Sequence, residues 1–166
     1  MHQIQVEREL DHPASTVWAL LDDFASTWVY HPIVEHSAST NGVQRGLGAE
    51  RMCQMYDGAE VRERVVRHDA TRMTYGIEVF DHGPFPLTHM EVDITVTPLG
   101  AHRCRVTYDG QFQVKFGPMG WMMGKMMMEA QFVKMLGQVI DGAGQHLSTG
   151  RIVEQGGTMG ALRGAA

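Results

Sequence analysis

"GPMGWMMGKMMMEAQFVKMLGQVIDGAGQHL", residues 117–147, decides the fold. Its second half sets Phe132, Leu136, Val139, Ile140, Ala143 and Leu147 three or four residues apart. Gln131, Lys134, Gln138, Asp141 and Gln145 take the other side. This spacing predicts an amphipathic helix with one face to bury. A helical wheel over 119–147 adds Trp121, Met122, Met128 and Met135 to that face. The first half breaks the pattern, with Met123 and Met127 on the polar side and Lys125 and Glu129 on the apolar one. Met119 to Met128 is therefore apolar nearly all round and calls for cover by a loop, a ligand or a second chain. Gly120 and Gly124 weaken it as helix. Methionine re-packs easily around irregular shapes. We therefore read 117–128 as an adaptable lid and 129–147 as the fixed grip, against the alternative of one rigid, fully packed helix.

A long helix with one apolar stripe needs a surface to bury it against, and the segments before it supply one. Residues 2–11 alternate Ile4, Val6 and Leu10 with polar neighbours, which is a strand pattern. Residues 12–24 switch to helical spacing through Val17, Leu20, Leu21 and Phe24, with Pro13 at the start. "WVYHPIVEH", 28–36, reads as a second short helix bent by Pro32. Five alternating segments follow at about 47–56, 59–69, 72–81, 88–98 and 102–114, separated by turn residues. Short strands joined by tight turns form an antiparallel sheet, whose apolar face must be covered. The expected architecture is α+β: a curved antiparallel sheet wrapped around the long C-terminal helix, with two short helices after the first strand. Residues 1–150 form one domain. Residues 151–166 are Gly-rich and aperiodic, and are expected to form a flexible tail.

The two-residue period of strands assigns the inward side chains. Met73, Tyr75, Ile77 and Val79 share a face; so do Met90, Val92, Ile94 and Val96, and Cys104, Val106, Tyr108, Gly110, Phe112 and Val114. In the first two hairpin strands, Leu47, Ala49, Arg51, Cys53 and Met55 go in, as do Val61, Glu63 and Val65. Two charged residues, Arg51 and Glu63, thus land among apolar ones, where each needs a partner. A two-residue turn at Asp57-Gly58 sets Arg51 opposite Arg64; a three-residue loop or a bulge brings it opposite Glu63. The pair is a structural ion pair, or Arg51 snorkels to the rim, or the two form the polar anchor of an apolar pocket.

Composition removes several functions. The net charge of −5 lacks the footprint of a nucleic-acid binder. Cys53 and Cys104 have neither disulfide-framework nor zinc spacing, and the nine histidines are scattered, so no metal and no cofactor are expected. His82 and His89 flank a proline-bearing loop and read as solvated. No apolar run suits stable membrane insertion or a leader, which makes the cytoplasm the expected location.

In their order, "PASTVWALLDDF", the Trp and His-Pro of "WVYHP", Gly48 and Arg51, Glu63 in "ERV" and Tyr75 resemble the START-like helix-grip (SRPBCC) superfamily over about residues 2–147. The nearest branch is the bacterial polyketide cyclase/dehydrase and lipid-transport group. The resemblance implies a hydrophobic small-molecule ligand, aromatic polyketide-like or lipid-like, held between sheet and helix. With the inward faces read above, such a cavity is expected to be lined by Trp28, Tyr75, Met90, Val92, Tyr108, Phe112, Trp121, Met128, Phe132 and Met135. Were the chain a cyclase or dehydratase, Glu63 and Arg51 would be its catalytic pair. A different class is implied by the Hsp90-activator branch, an interaction module without ligand chemistry. The Met-rich helix start is also where a homodimer would form.

Overall fold

The chain alternates its side chains into a sheet for most of its length and then covers that sheet with one helix. The computed structural model describes residues 1–156, without the side chains at 123 and 124. Strands β1 (His2–Leu10), β2 (Val34–Ser39), β3 (Glu50–Met55), β4 (Glu60–Asp69), β5 (Thr74–Asp81), β6 (Leu87–Gly100) and β7 (Arg103–Val114) form a single antiparallel sheet. Its order is β1-β7-β6-β5-β4-β3-β2, a meander with β1 added beside the last strand. Helix α1 (Ala14–Asp22) and a 3-10 segment (Phe24–Val29) separate β1 from β2. The C-terminal helix runs as α2 (Gly117–Met123), a π turn (Gly124–Met128) and α3 (Glu129–Thr149). Gly150 closes α3 in the left-handed conformation, its N–H bonded to His146 O at 2.8 Å.

Two departures from the sequence reading have local causes. Residues 28–36 are not a helix. The 3-10 segment ends at Val29, and Val34 begins a strand that pairs with β3. A proline disfavours helical dihedrals at the residue before it, and after Pro32 the chain turns into an edge strand. Ser37 points inward on that strand, where its hydroxyl donates to Ala25 O at 2.7 Å. Leu47 is exposed because β3 starts only at Glu50, beyond a loop.

Irregular pairings curve the sheet toward the helix. Val66 on β4 and Phe80 on β5 are extra residues, at the register shifts between Val65/Arg67 and Arg62/Glu63. Such bulges bend a strand and increase its twist. The concave face carries Val65, Ile77, Val92, Val96 and Val106, all buried against the helix residues Phe132, Leu136, Val139, Ile140 and Ala143. The expected inward faces of 73–79, 90–96 and 104–114 are the ones observed, with Met73 only partly buried.

The helix is seated by small residues. A Cβ at Gly142 would lie 2.2 Å from Tyr30 O, so α3 rests there on the turn between the 3-10 segment and β2. Gly→Ala on an exposed helix face stabilises by about 1 kcal/mol. Gly142→Ala should do the reverse and cost about 3 kcal/mol through overpacking. Urea denaturation measures it, and an unchanged or raised midpoint would show that α3 is not seated on Tyr30. Beyond α3, Val153 N–H donates to Val29 O and Gly156 N–H to Pro32 O. The rest of the expected tail, 157–166, lies outside the described residues.

Candidate functional site

The turn between β3 and β4 settles the Arg51–Glu63 register. Tyr56-Asp57-Gly58 is a three-residue loop, with Gly58 at φ 87° and Met55 N–H bonded to Ala59 O. That length sets Arg51 directly opposite Glu63. Arg51 Nε donates to Glu63 Oε2 at 2.6 Å and Nη1 donates to Phe24 O at 2.6 Å. The guanidinium also stacks over the Phe24 ring, 3.9 Å from its centre. Arg51 is 5% exposed and does not reach the rim. Burial opposes its charge most strongly, but the Glu63 carboxylate, joined by Cys53, Tyr30 and Tyr75, outweighs that and pushes its pKa up. Cys53 Sγ donates to the same Oε2 at 3.6 Å, and burial pushes its thiol up, so it is no nucleophile. Both of these bonds to Glu63 fall on Oε2, leaving Oε1 for another donor.

Two adjoining cavities of about 70 Å³ each lie between the sheet and α3. Glu63, His31, Val79, Met90 and Met135 belong to the walls of both. The first continues to Arg51, Tyr75, Tyr108, Val92 and Leu136; the second to His82, Phe85, Leu87 and Phe132. Each is far below the roughly 300 Å³ at which drug-sized pockets begin. The partition between them includes two thioether side chains, which re-rotate at low cost.

Eight of the twelve residues singled out in the sequence therefore lie on cavity walls: Arg51, Glu63, Tyr75, Met90, Val92, Tyr108, Phe132 and Met135. Four do not. Trp28 sits on the 3-10 segment beside His36, with ring centres 6.4 Å apart. Phe112 is fully buried between His2 and Phe132, at 4.9 and 4.8 Å between ring centres. Met128 is buried at the end of the π turn, off both walls. Trp121 is 50% exposed. The π turn puts an extra residue into the helical repeat, so the wheel that holds for α3 does not extend back to Trp121 and Met122. Met127 is exposed, as the wheel had it, and the side chain of Met123 lies outside those described.

The polar groups differ in how committed they are. Tyr75 donates to Leu21 O at 3.0 Å, which anchors β5 to α1. Burial holds the Tyr108 phenol well above the ordinary value, so it is a protonated donor facing the first cavity. His31 and His82 were not identified from sequence as cavity residues. The Ile33 N–H donates to His31 Nδ1 at 3.4 Å, which places the ring proton of the neutral form on Nε2. Burial, and next the charge of Arg51, lower His31 to about 3. His82 is half-buried and lines the second cavity. Its Nε2 is buried without a partner among the described residues, and burial lowers its pKa. The Pro after His31 was the signal for the first; nothing in the local sequence distinguishes His82 from a solvated loop histidine.

His31 yields a pH dependence. Between its ordinary 6.5 and about 3, the unfolded chain carries a proton that the folded chain does not. Stability is therefore fully present above pH 6.5 and falls as pH drops through that window, by at most about 1.4 kcal/mol per unit. His31→Gln should flatten this limb in urea titrations from about pH 6.5 down to about pH 4. Parallel curves for the two proteins would mean that His31 is protonated in the folded state.

Among the described residues no cluster of three or more His, Cys, Asp or Glu is placed to hold a metal, and no helix is long and apolar enough to cross a membrane. Solved structures share the architecture. XoxI of Bacillus cereus superposes with a TM-score of 0.72 at 20% identity, over 90% of this chain and 97% of its own. A protein of Thermus thermophilus gives 0.72 at 16%, over 90% and 99%. Norcoclaurine synthase of Thalictrum flavum, in complex with dopamine and hydroxybenzaldehyde, gives 0.68 at 16%, over 89% and 86%. At these identities the likeness is one of fold. No curated protein matches the chain. The family described as polyketide cyclase / dehydrase and lipid transport matches residues 1–146, which span every strand and nearly all of the gripping helix, and the chain belongs to that family.

Proposed function

We propose that this protein binds a small hydrophobic molecule bearing hydroxyl and carbonyl groups, of the aromatic polyketide kind, between the sheet and α3. One observation carries the reading: three polar groups with capacity to spare converge on one cavity in an otherwise apolar interior. Glu63 Oε1 is an acceptor for a ligand hydroxyl, and the Tyr108 hydroxyl and His31 Nε2–H are donors for a carbonyl. A few placed polar groups in an apolar wall are the usual make-up of a small-molecule site. The Thalictrum synthase, whose complex holds two hydroxylated aromatic compounds, supports the same class of ligand in this fold. Rotation of Met90 and Met135 out of the partition joins the two cavities, and a ligand of this size needs the walls to move further apart as it enters. Arg51 then acts by holding Glu63, since two of its donor groups are spent on Glu63 and Phe24. If a cyclisation or dehydration follows binding, Glu63 is its base, and Tyr108 stabilises the developing oxyanion.

Native mass spectrometry of protein purified from its own host should reveal a bound small molecule that organic solvent extracts. With a dihydroxyanthraquinone as probe, Tyr108→Phe should weaken binding about tenfold, the worth of one hydrogen bond in a dry site. A second reading, an interaction module of the Hsp90-activator type, is favoured by the small size of the cavities. Protein that carries no small molecule and rejects the probe would support that reading instead.

A further inference from the structure

The chain contains three lysines, and all three fall between residues 115 and 134. Lys115, Lys125 and Lys134 are each exposed. Between Gly110 and Ile140 the sole carboxylate is Glu129, and it is engaged by His2 Nδ1 at 2.9 Å. A protein of net charge −5 thus keeps one locally cationic segment. The same segment exposes Phe116, Met119, Trp121, Met122, Met126 and Met127, with Met119 78% exposed. Lys125 lies over the Trp121 ring, its nitrogen 5.4 Å from the centre. Farther along, Met126, Ala130, Val133 and Met127, Ala130, Lys134 follow at three- and four-residue spacing, so the exposed strip continues onto α3.

We propose that residues 115–134 dock this protein on an anionic lipid surface, with Trp121, Met119, Met122, Met126 and Met127 at the acyl boundary and the three lysines among the headgroups. The composition is that of an interfacial amphipathic segment: cations, an aromatic and flexible apolar side chains around one short helix. Charge selects this occupant over a second copy of the chain. A two-fold contact through this strip would bring like-charged lysines toward their own copies, with no free carboxylate in the strip to pair with them. A neutral apolar partner would leave the lysines unused. The proposal concerns the outside of the helix and does not depend on what the cavity holds.

Sedimentation with phosphatidylcholine vesicles, with and without about 30 mol % phosphatidylglycerol to give a negative surface potential, tests it. Binding is expected to the anionic vesicles alone, lost at high salt. It should be accompanied by a blue shift of tryptophan emission that Trp121→Phe removes. Each lysine near such a surface is worth about a fivefold change in affinity. The triple variant Lys115→Gln, Lys125→Gln and Lys134→Gln should therefore lose on the order of a hundredfold while melting at the wild-type temperature. Absent binding, equal binding to neutral vesicles, or binding that survives the triple variant overturns the proposal. So does a vesicle-independent blue shift that grows with protein concentration, which would assign the strip to a second copy.

Discussion

Glu63→Ala should lower the free energy of unfolding by about 3–5 kcal/mol, because it strands Arg51 as an uncompensated buried charge. Arg51 is 5% exposed and stacked on Phe24, and Glu63 is the carboxylate that pairs with it. Urea denaturation gives the size of the effect. The pair variant Arg51→Met with Glu63→Leu separates the structural from the binding role. Exchanging both ions for apolar groups of similar volume is commonly neutral or better for stability. The double variant should therefore unfold within about 1 kcal/mol of wild type while losing affinity for a hydroxylated aromatic probe. A stable double variant that binds the probe as well as wild type would reduce the pair to a structural ion pair. A Glu63→Ala protein with the wild-type urea midpoint would mean that Arg51 finds water, contrary to its burial.

Phe132→Ala should be as costly, about 3–5 kcal/mol, since the side chain is 2% exposed and is the first large apolar residue of the fixed grip. Its ring lies against Phe112 and closes the second cavity. Removing it adds a void lined by apolar side chains, and such voids stay dry and accept small aromatics. Benzene or indole should then raise the melting temperature of the variant more than that of wild type, by linkage. A loss under about 1 kcal/mol, the cost of a volume-conserving swap, with no rescue by benzene, would show that the helix closes over the vacancy. In that case α3 is not the rigid side of the site.

The sequence alone determined what depends on periodicity. The inward faces of 73–79, 90–96 and 104–114 and the buried stripe of 129–147 follow from repeats of two and about 3.6 residues, which are local properties of the chain. Their consequence, a curved antiparallel sheet covered by one helix, was legible because an apolar face has to be buried somewhere. Arg51 and Glu63 were legible as inward charges, but not as partners, because one residue in the Tyr56–Gly58 loop flips which face meets which. Strand β2 was not legible: "VEHSAS" becomes a strand by pairing with the edge of β3, a contact across the intervening loop that leaves no period in the sequence. The π turn rotated Trp121 out of the buried face of the helix, since an extra residue in a helix changes the phase of everything before it while leaving composition untouched. His31 and His82 reached the cavities from a turn and a loop, where no repeat assigns a direction to a side chain. Those positions are decided by how distant segments pack, and only the tertiary structure contains that information.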